Sequence, residues 1–123
     1  MLQIKRTVSM GRGVFATQDI PSNILVLHDP VIIFPIKDAK GTLFQDYQFN
    51  WDEENCAIPL GLGSLINHNV KANCAWKRNQ QYMDFYTLRN IKKGEQMFHD
   101  YGYDPSKQIV KARLKKYLEG KVK

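Results

Sequence analysis

The sequence contains only two cysteines, Cys56 and Cys74, and they form no CxxC or CxC pair. Zinc sites use closely spaced cysteines and histidines, and small secreted domains use larger cysteine sets for disulfides. The sequence therefore predicts neither a metal site nor a disulfide framework. We interpret both cysteines as reduced, small, apolar residues.

Long apolar runs are also missing. The longest runs, such as residues 31–34, cover four residues, whereas a membrane helix needs about 20 apolar residues. The N-terminal residues lack the apolar stretch of a secretory signal. We expect no membrane association and a location inside the cell, in a nucleus or a cytoplasm.

The basic charge is concentrated in one segment. Residues 1–105 contain eleven Lys or Arg and eleven Asp or Glu, whereas residues 106–123 contain seven basic residues and one acidic residue. A small nucleic-acid-binding protein would carry basic residues over its folded body, so this function class is disfavoured. Contact of the basic tail with nucleic acid or an acidic partner stays open.

Most of the chain has the pattern of short strands separated by turns. The segments are rich in β-branched and aromatic residues and are interrupted by proline. A hairpin is predicted over residues 73–88, with its turn at residues 79–81. The predicted fold class is mainly β and antiparallel, with strands at residues 3–8, 24–27, 31–36, 73–78 and 82–88.

One helix is predicted, over residues 106–118. Asp104 is a suitable N-cap and Pro105 a suitable first helical residue. Four apolar residues follow on one helical face: Val110, Leu114, Tyr117 and Leu118. We therefore divide the chain into a domain at residues 1–104 and a basic helix at residues 105–123. The lysines of this helix fit an ordinary solvated face near a helix C-terminus.

Three distant segments combine turn-forming or amide residues with apolar ones: GRGVFA at residues 11–16, GLGSLINH at 61–68 and GEQMFHDYG at 94–102. Glycines alone are weak evidence, because they serve hairpin turns more often than ligands. Asn67, His68, Asn69 and Asn73 form a dense polar group behind apolar residues. Buried amides need hydrogen-bond partners, which either the backbone or a ligand supplies. For His68 alone, a packed histidine in a turn is the simpler interpretation.

Four blocks in order resemble the signature of the SET-domain protein lysine methyltransferases: GRGVFA, DYQF, LINHNVKAN and GEQMFHDYG. The resemblance covers residues 4–104. In its short length the chain is similar to the small stand-alone SET proteins of viruses and bacteria. It implies a fold of short twisted antiparallel sheets with a C-terminal pseudo-knot. It also implies S-adenosylmethionine as the methyl donor and a lysine-containing protein, such as a histone tail, as the substrate.

The resemblance also implies a cofactor site. The glycine turn, Gly11, Arg12 and Gly13, matches the segment that lies against the cofactor. Asn67 and His68 match the pair that contacts the cofactor through side chain and backbone. We hypothesise that the Arg12 guanidinium binds the cofactor's carboxylate, with an ordinary surface arginine as the equally weighted alternative.

The residues implied for catalysis come from the last and middle blocks. Tyr101 matches the catalytic tyrosine, which also touches the cofactor, and Tyr47 matches an aromatic residue of the lysine channel. Glu95 matches an acid with a structural role, and Asp100 is expected to point away and anchor the turn. Methyl transfer from a sulfonium to an amine is an in-line displacement, so the protein must mainly align the reactants and exclude water.

The chain departs from the family pattern at His99, two residues before Tyr101, where Phe or Tyr is usual and influences how many methyl groups are added. A histidine there can hydrogen-bond the lysine amine or a water, or titrate near neutrality. The cysteine-rich segment that follows the core in many members is absent. The helix at residues 106–118, or a second subunit in a homodimer, would then close the channel.

Acidic residues at positions 52–54 border the region expected to bind a basic peptide, although a solvated loop is the slightly favoured explanation. A different class of function is a SET-like module that has lost catalysis and binds a peptide or another subunit. A methylation assay with a Tyr101→Phe control separates these two interpretations.

Overall fold

A computed structural model describes residues 1–101, which form short strands joined by turns. Within this range there are nine strands, one short α-helix and two 3-10 turns. The strands are β1 (Leu2–Arg6), β2 (Arg12–Ala16), β3 (Leu25–Pro35), β4 (Phe49–Asn50), β5 (Asn55–Pro59), β6 (Asn67–His68), β7 (Cys74–Asn79), β8 (Tyr82–Thr87) and β9 (Phe98–His99). The helix α1 is Ile36–Ala39, and the 3-10 turns are Leu43–Asp46 and Leu62–Leu65. The predicted mainly β class is confirmed, whereas the predicted C-terminal helix lies outside the described residues.

Strands β1 and β2 form an antiparallel hairpin in which Arg6 lies opposite Arg12. The Thr7 N–H and hydroxyl both donate to the Gly11 carbonyl, at 2.6 and 2.9 Å. Gly11 has a φ of 70°, a left-handed conformation that glycine adopts without a steric penalty. The strand predicted at residues 3–8 therefore ends at Arg6, because the next residues are used in the turn.

The largest sheet has the strand order β4-β5-β3-β8-β7, and β3 runs through its centre. Two strands were predicted here, separated near Pro30, but the structure has one continuous strand. Pro30 lies where β3 leaves β8 and begins to pair with β5. The Pro30 nitrogen has no hydrogen to donate. The Pro30 carbonyl accepts a hydrogen bond from the Leu60 N–H at 2.8 Å. A proline is tolerated at this change of partner, so the prediction of a break was wrong.

The hairpin of β7 and β8 was predicted correctly to within one residue at its ends. Asn79 pairs with Tyr82, which leaves a two-residue turn of Gln80 and Gln81. Gln80 adopts a φ of 56°. The two strands place Met83 and Phe85 in the core, where both side chains are fully buried.

The core joins segments that are distant in sequence. Val14 of β2, Ile66 before β6 and Met97 before β9 pack in the same buried cluster as Phe85 of β8. Cys56 and Cys74 are both buried and do not form a disulfide. Burial of these apolar side chains holds the glycine turn, the asparagine segment and the last described strand together.

Strands β6 and β9 form a parallel pair, with Asn67 opposite Phe98 and His68 opposite His99. Asn73, which is 1% exposed, fastens this pair. Its side-chain oxygen accepts from the Phe98 N–H at 2.8 Å, and its amide donates to the Gln96 carbonyl at 2.8 Å. The backbone therefore supplies the partners of this buried amide. This contact between the two segments is the one that the predicted pseudo-knot requires.

Within residues 1–101, no helix has the length and apolar character needed to cross a bilayer.

Candidate active site

The two glycines of the GRG turn have different structural roles. Gly11 forms the hairpin turn, and a side chain at this position would meet no atom within 4 Å. A Cβ on Gly13 would lie 2.5 Å from Oε1 of Gln96 and 3.1 Å from Nδ2 of Asn67. Gly13 is therefore needed for the close approach of β2 to the segments that carry Asn67 and Gln96.

The side chain of Asn67 connects these segments. Its amide nitrogen donates to the Arg12 carbonyl and to Oε1 of Gln96, each at 3.0 Å. Both bonds need the same orientation of the amide, so they fix which way Asn67 faces. Gln96 is a part of the site that the sequence analysis missed. Its only sequence signal was its place between Glu95 and Met97 in the GEQMF block.

His68 holds the backbone of Tyr101. Its Nδ1 accepts a hydrogen bond from the Tyr101 N–H at 2.9 Å, and the two rings lie 4.9 Å apart. This acceptor role requires Nδ1 to be unprotonated. The Asp100 carboxylate lies 3.9 Å from the same nitrogen and is partly exposed.

The phenol of Tyr101 is oriented by a second segment. Its hydroxyl donates to the Ile66 carbonyl at 3.2 Å. Ile66 follows the 3-10 turn Leu62–Leu65 and directly precedes Asn67. Tyr101 is therefore held at its backbone by His68 and at its hydroxyl by the residue before Asn67.

His99 is buried among aromatic rings, with only 3% of its surface exposed. It stacks on Phe49 at 5.1 Å and lies 4.6 Å from the Tyr101 ring. Within residues 1–101, neither ring nitrogen forms a hydrogen bond, and the nearby Asp100 backbone favours the charged form only weakly. Loss of solvation is the main cause that lowers the pKa of His99 to about 3. The expectation that His99 titrates near neutrality was therefore wrong, because the pocket is too apolar for an imidazolium.

A cavity of about 620 Å³ opens between the hairpin turn and the asparagine segment. Five of the predicted site residues line it: Gly11, Arg12, Tyr47, Asn67 and Tyr101. Three further lining residues, Ser64, Leu65 and Ile66, lie in the candidate segment GLGSLINH but were not predicted individually, and Arg6, Met10 and Asp46 were not predicted at all. Arg6 could have been found from the hairpin, because residues directly opposite on two antiparallel strands share a face.

Three other predicted residues lie beside the cavity and do not line it: Gly13, His68 and His99. Gly13 allows β2 to approach, His68 binds the Tyr101 backbone, and His99 packs beneath the Tyr101 ring. The structure thus brings all the predicted site residues into one region. Some line the cavity, and the others contact the residues that line it.

The remaining acidic candidates have structural contacts. Glu95 forms an ion pair with Arg89 at 2.8 Å, and the hydrogen bond from Arg89 lowers the pKa of its carboxyl group. Asp52 accepts bonds from the backbone of Glu54 and Asn55 at 2.9 and 2.8 Å, which shapes a turn. Within residues 1–101, no three His, Cys, Asp or Glu side chains come together as a set of metal ligands.

Comparison with known proteins identifies the family. The family described as the SET domain matches residues 11–102, which contain the glycine turn, the asparagine segment and Tyr101. The chain belongs to the SET-domain family. A histone-lysine N-methyltransferase of Schizosaccharomyces pombe, described as specific for H3 lysine 37, is 36% identical over 107 residues. That alignment covers 82% of this chain and 73% of the relative.

Other relatives of this SET domain are larger proteins. The N-lysine methyltransferase KMT5A-A of Danio rerio is 31% identical over 121 residues, covering 83% of this chain and 35% of the relative. The chain thus spans about a third of that relative's length. A crystal structure of a candidate histone methyltransferase from Plasmodium falciparum superposes with a TM-score of 0.71 at 23% identity, covering 85% of this chain and 99% of that one. The fold is shared, and the predicted class, a protein-lysine N-methyltransferase, is confirmed.

Proposed function

We propose that this SET domain transfers methyl groups from S-adenosylmethionine to a lysine of a histone, with histone H3 as the first candidate. The relative from Schizosaccharomyces pombe is described as acting on histone H3. The observation that carries the proposal is the meeting of the glycine turn, Asn67 and Tyr101 on one cavity. These segments are more than 30 residues apart in sequence, and local folding alone does not bring them together.

The cavity fits a cofactor of this kind. Its volume of about 620 Å³ lies within the range of about 300–1,000 Å³ typical of small-molecule sites. Arg12 lines it and provides a permanent cation for the cofactor's carboxylate. Arg6 lies opposite Arg12 and lines the same cavity, which adds to its positive charge. When bound, S-adenosylmethionine supplies an electrophilic methyl group on a sulfonium.

Tyr101 and Tyr47 both line this cavity, and we assign them to the walls of the lysine channel. An aromatic wall favours the neutral form of the target amine, because desolvation lowers the pKa of a lysine. The hydroxyl of Tyr101 is bound to the Ile66 carbonyl, so its oxygen is held in one place. Weak CH···O contacts to such an oxygen contribute about 0.5–1 kcal/mol each, so alignment must supply most of the catalysis.

The test is mass spectrometry of recombinant histones incubated with the full chain and isotopically labelled S-adenosylmethionine. We expect labelled methyl groups on one or a few lysines of histone H3. Label on a different protein from a cell extract would support the proposed reaction but show that the substrate is that protein rather than histone H3. Absence of label from every histone and extract protein would contradict the proposed reaction.

A catalytically inactive SET-like module that binds peptide is the alternative. It predicts measurable binding of a histone peptide with no transfer of label. The intact arrangement of His68, Tyr101 and Ile66 favours the enzyme, because a module without catalysis has no need to fix a phenol at a cavity wall.

A further inference from the structure

A buried carboxylate outside the cavity supports the segment that orients Tyr101. Asp29 lies near the middle of β3, opposite Met83 of β8, and is 6% exposed. Its Oδ2 accepts a hydrogen bond from the Gly63 N–H at 2.9 Å. Gly63 belongs to the 3-10 turn Leu62–Leu65, which precedes Ile66 and Asn67.

The glycines of the GLGS segment fit around this carboxylate. A Cβ on Gly61 would lie 2.3 Å from Oδ1 of Asp29, and a Cβ on Gly63 would lie 2.4 Å from Cε1 of Phe85 and 2.8 Å from Oδ2 of Asp29. These glycines lie in one of the segments predicted from the sequence as candidates for ligand binding. The structure assigns them instead to the close packing of the turn on Asp29 and, at Gly63, on the Phe85 ring as well.

Three hydrogen bonds then connect Asp29 to the phenol. The Gly63 N–H donates to Asp29 at 2.9 Å, the Ile66 N–H donates to the Gly63 carbonyl at 3.4 Å, and the Tyr101 hydroxyl donates to the Ile66 carbonyl at 3.2 Å. Ser64, Leu65 and Ile66 of the same segment line the cavity. A displacement of the turn would therefore move both the cavity wall and the acceptor of the Tyr101 hydroxyl.

Burial of a carboxylate costs free energy unless the group is well bonded. Desolvation raises the pKa of Asp29, and the bond from Gly63 opposes this effect only in part. At a buried position where the side chain only occupies space, an apolar residue would cost less free energy than a carboxylate. A buried acceptor at this place is explained by the turn that it holds.

We propose that Asp29 is a positioning residue for methyl transfer, which holds the turn Leu62–Leu65 so that the Ile66 carbonyl orients the Tyr101 hydroxyl. The inference rests on the proposed role of Tyr101 and adds a residue that touches neither cofactor nor substrate.

The test compares two substitutions of nearly equal shape in the full chain. Asp29→Asn keeps an oxygen acceptor for Gly63, whereas Asp29→Leu removes it. We expect kcat to fall about 10- to 100-fold in Asp29→Leu, because small misplacements of reacting groups have effects of this size. Asp29→Asn should retain kcat to within about threefold, since its amide oxygen can accept the same bond.

Asp84→Leu is the matched control for loss of a buried carboxylate. Asp84 is also 6% exposed and lies in the same sheet, but it bonds to His28 and Asn79 rather than to the turn. This variant should lose thermal stability while kcat stays within about threefold of the unchanged protein. Should Asp29→Leu fail to fold, Gly61→Ala is the second variant, because a Cβ on Gly61 would lie 2.3 Å from Oδ1 and 2.8 Å from Oδ2 of Asp29, and all three of its nearest atoms belong to that carboxylate. It should show the same fall in kcat.

A second readout follows Tyr101 without catalysis. In protein labelled with ¹³C at the tyrosine ζ carbons, the signal missing from Tyr101→Phe identifies Tyr101. That signal should shift in Asp29→Leu and stay in place in Asp29→Asn and Asp84→Leu.

The proposal is overturned if Asp29→Leu keeps the kcat of the unchanged protein, if kcat falls as far in Asp29→Asn as in Asp29→Leu, or if the Tyr101 signal does not move in Asp29→Leu. Full activity of Tyr101→Phe would instead contradict the role of Tyr101, and the signal would still report whether Asp29 positions the ring.

Discussion

At the scale of single residues, the site uses polar side chains mainly to position other groups. Asn67 binds Arg12 and Gln96, His68 binds the Tyr101 backbone, and Asn73 binds the segment before β9. Sequence analysis predicted several of these residues as ligand contacts. Residue type and spacing show that a polar group needs a partner, but they do not show whether the partner is the protein's own backbone.

His99 provides a prediction about the product. Its ring nitrogens have no hydrogen-bond partner within residues 1–101, and its ring lies 4.6 Å from that of Tyr101. A neutral imidazole beside the Tyr101 ring has polar nitrogens that can bind a water, whereas a phenyl ring has none. We expect His99→Phe to shift the products toward more highly methylated lysine, measured by mass spectrometry of one peptide over time. His28→Phe, the same change on a histidine bonded to Asp84, should leave the distribution unchanged; equal distributions for all three proteins would contradict this role.

His99 also provides a prediction about stability in acid. Its folded-state pKa is lowered from 6.5 to about 3, so below pH 6.5 the unfolded chain binds a proton that the folded chain does not. Stability therefore falls as the pH drops, by up to about 2 kcal/mol for this group between pH 6.5 and pH 5. Urea unfolding at the two pH values should show that His99→Phe loses less stability on acidification than the unchanged protein. An equal loss in both would show that other groups cause the acid sensitivity.

At the scale of elements, local signals were sufficient for the hairpin of β7 and β8, since its turn and both strands are contiguous. They failed at β3, because the change of partner at Pro30 depends on β5 and β8 together. The parallel pair of β6 and β9 joins residues about 30 positions apart. Only the resemblance to a family predicted that contact, since no pattern within either strand specifies a distant partner.

Gly13 tests the packing between these elements. A Cβ there would lie 2.5 Å from Oε1 of Gln96 and 3.1 Å from Nδ2 of Asn67. We expect Gly13→Ala to weaken S-adenosylmethionine binding about tenfold or more, measured by titration calorimetry, because the side chains of Gln96 and Asn67 must leave the positions in which they bond to each other. In a Gln96→Ala background the added effect of Gly13→Ala should be smaller, since the nearest contact is gone.

Gly94→Ala is the control for loss of a glycine. Gly94 has a φ of 91°, and a Cβ at this position would meet no atom within 4 Å, so its replacement strains only the local backbone. Stability should fall by about 1–2 kcal/mol with cofactor affinity unchanged. Unchanged affinity in Gly13→Ala as well would contradict the packing explanation.

At the scale of the whole molecule, the segments that form the core also carry the residues of the site. Val14, Ile66 and Met97 are buried together, and each is within four residues of a residue that lines the cavity or supports Tyr101. The order of the four sequence blocks predicted this arrangement because the family resemblance carries the long-range contacts. The homodimer, the contact of the basic tail with nucleic acid and the helix at residues 106–118 stay predictions.

The most direct test of the account is single-turnover methyl transfer by Tyr101→Phe at saturating S-adenosylmethionine, with cofactor affinity measured on the same preparation. The hydroxyl bonded to the Ile66 carbonyl is lost while the ring remains. We predict a fall in rate of about 100-fold or more with affinity changed less than about threefold, since alignment at the methyl group is affected more than binding. Tyr82→Phe, on a tyrosine stacked against His28, should keep the full rate. A Tyr101→Phe variant that transfers methyl groups as fast as the unchanged protein would contradict the central claim.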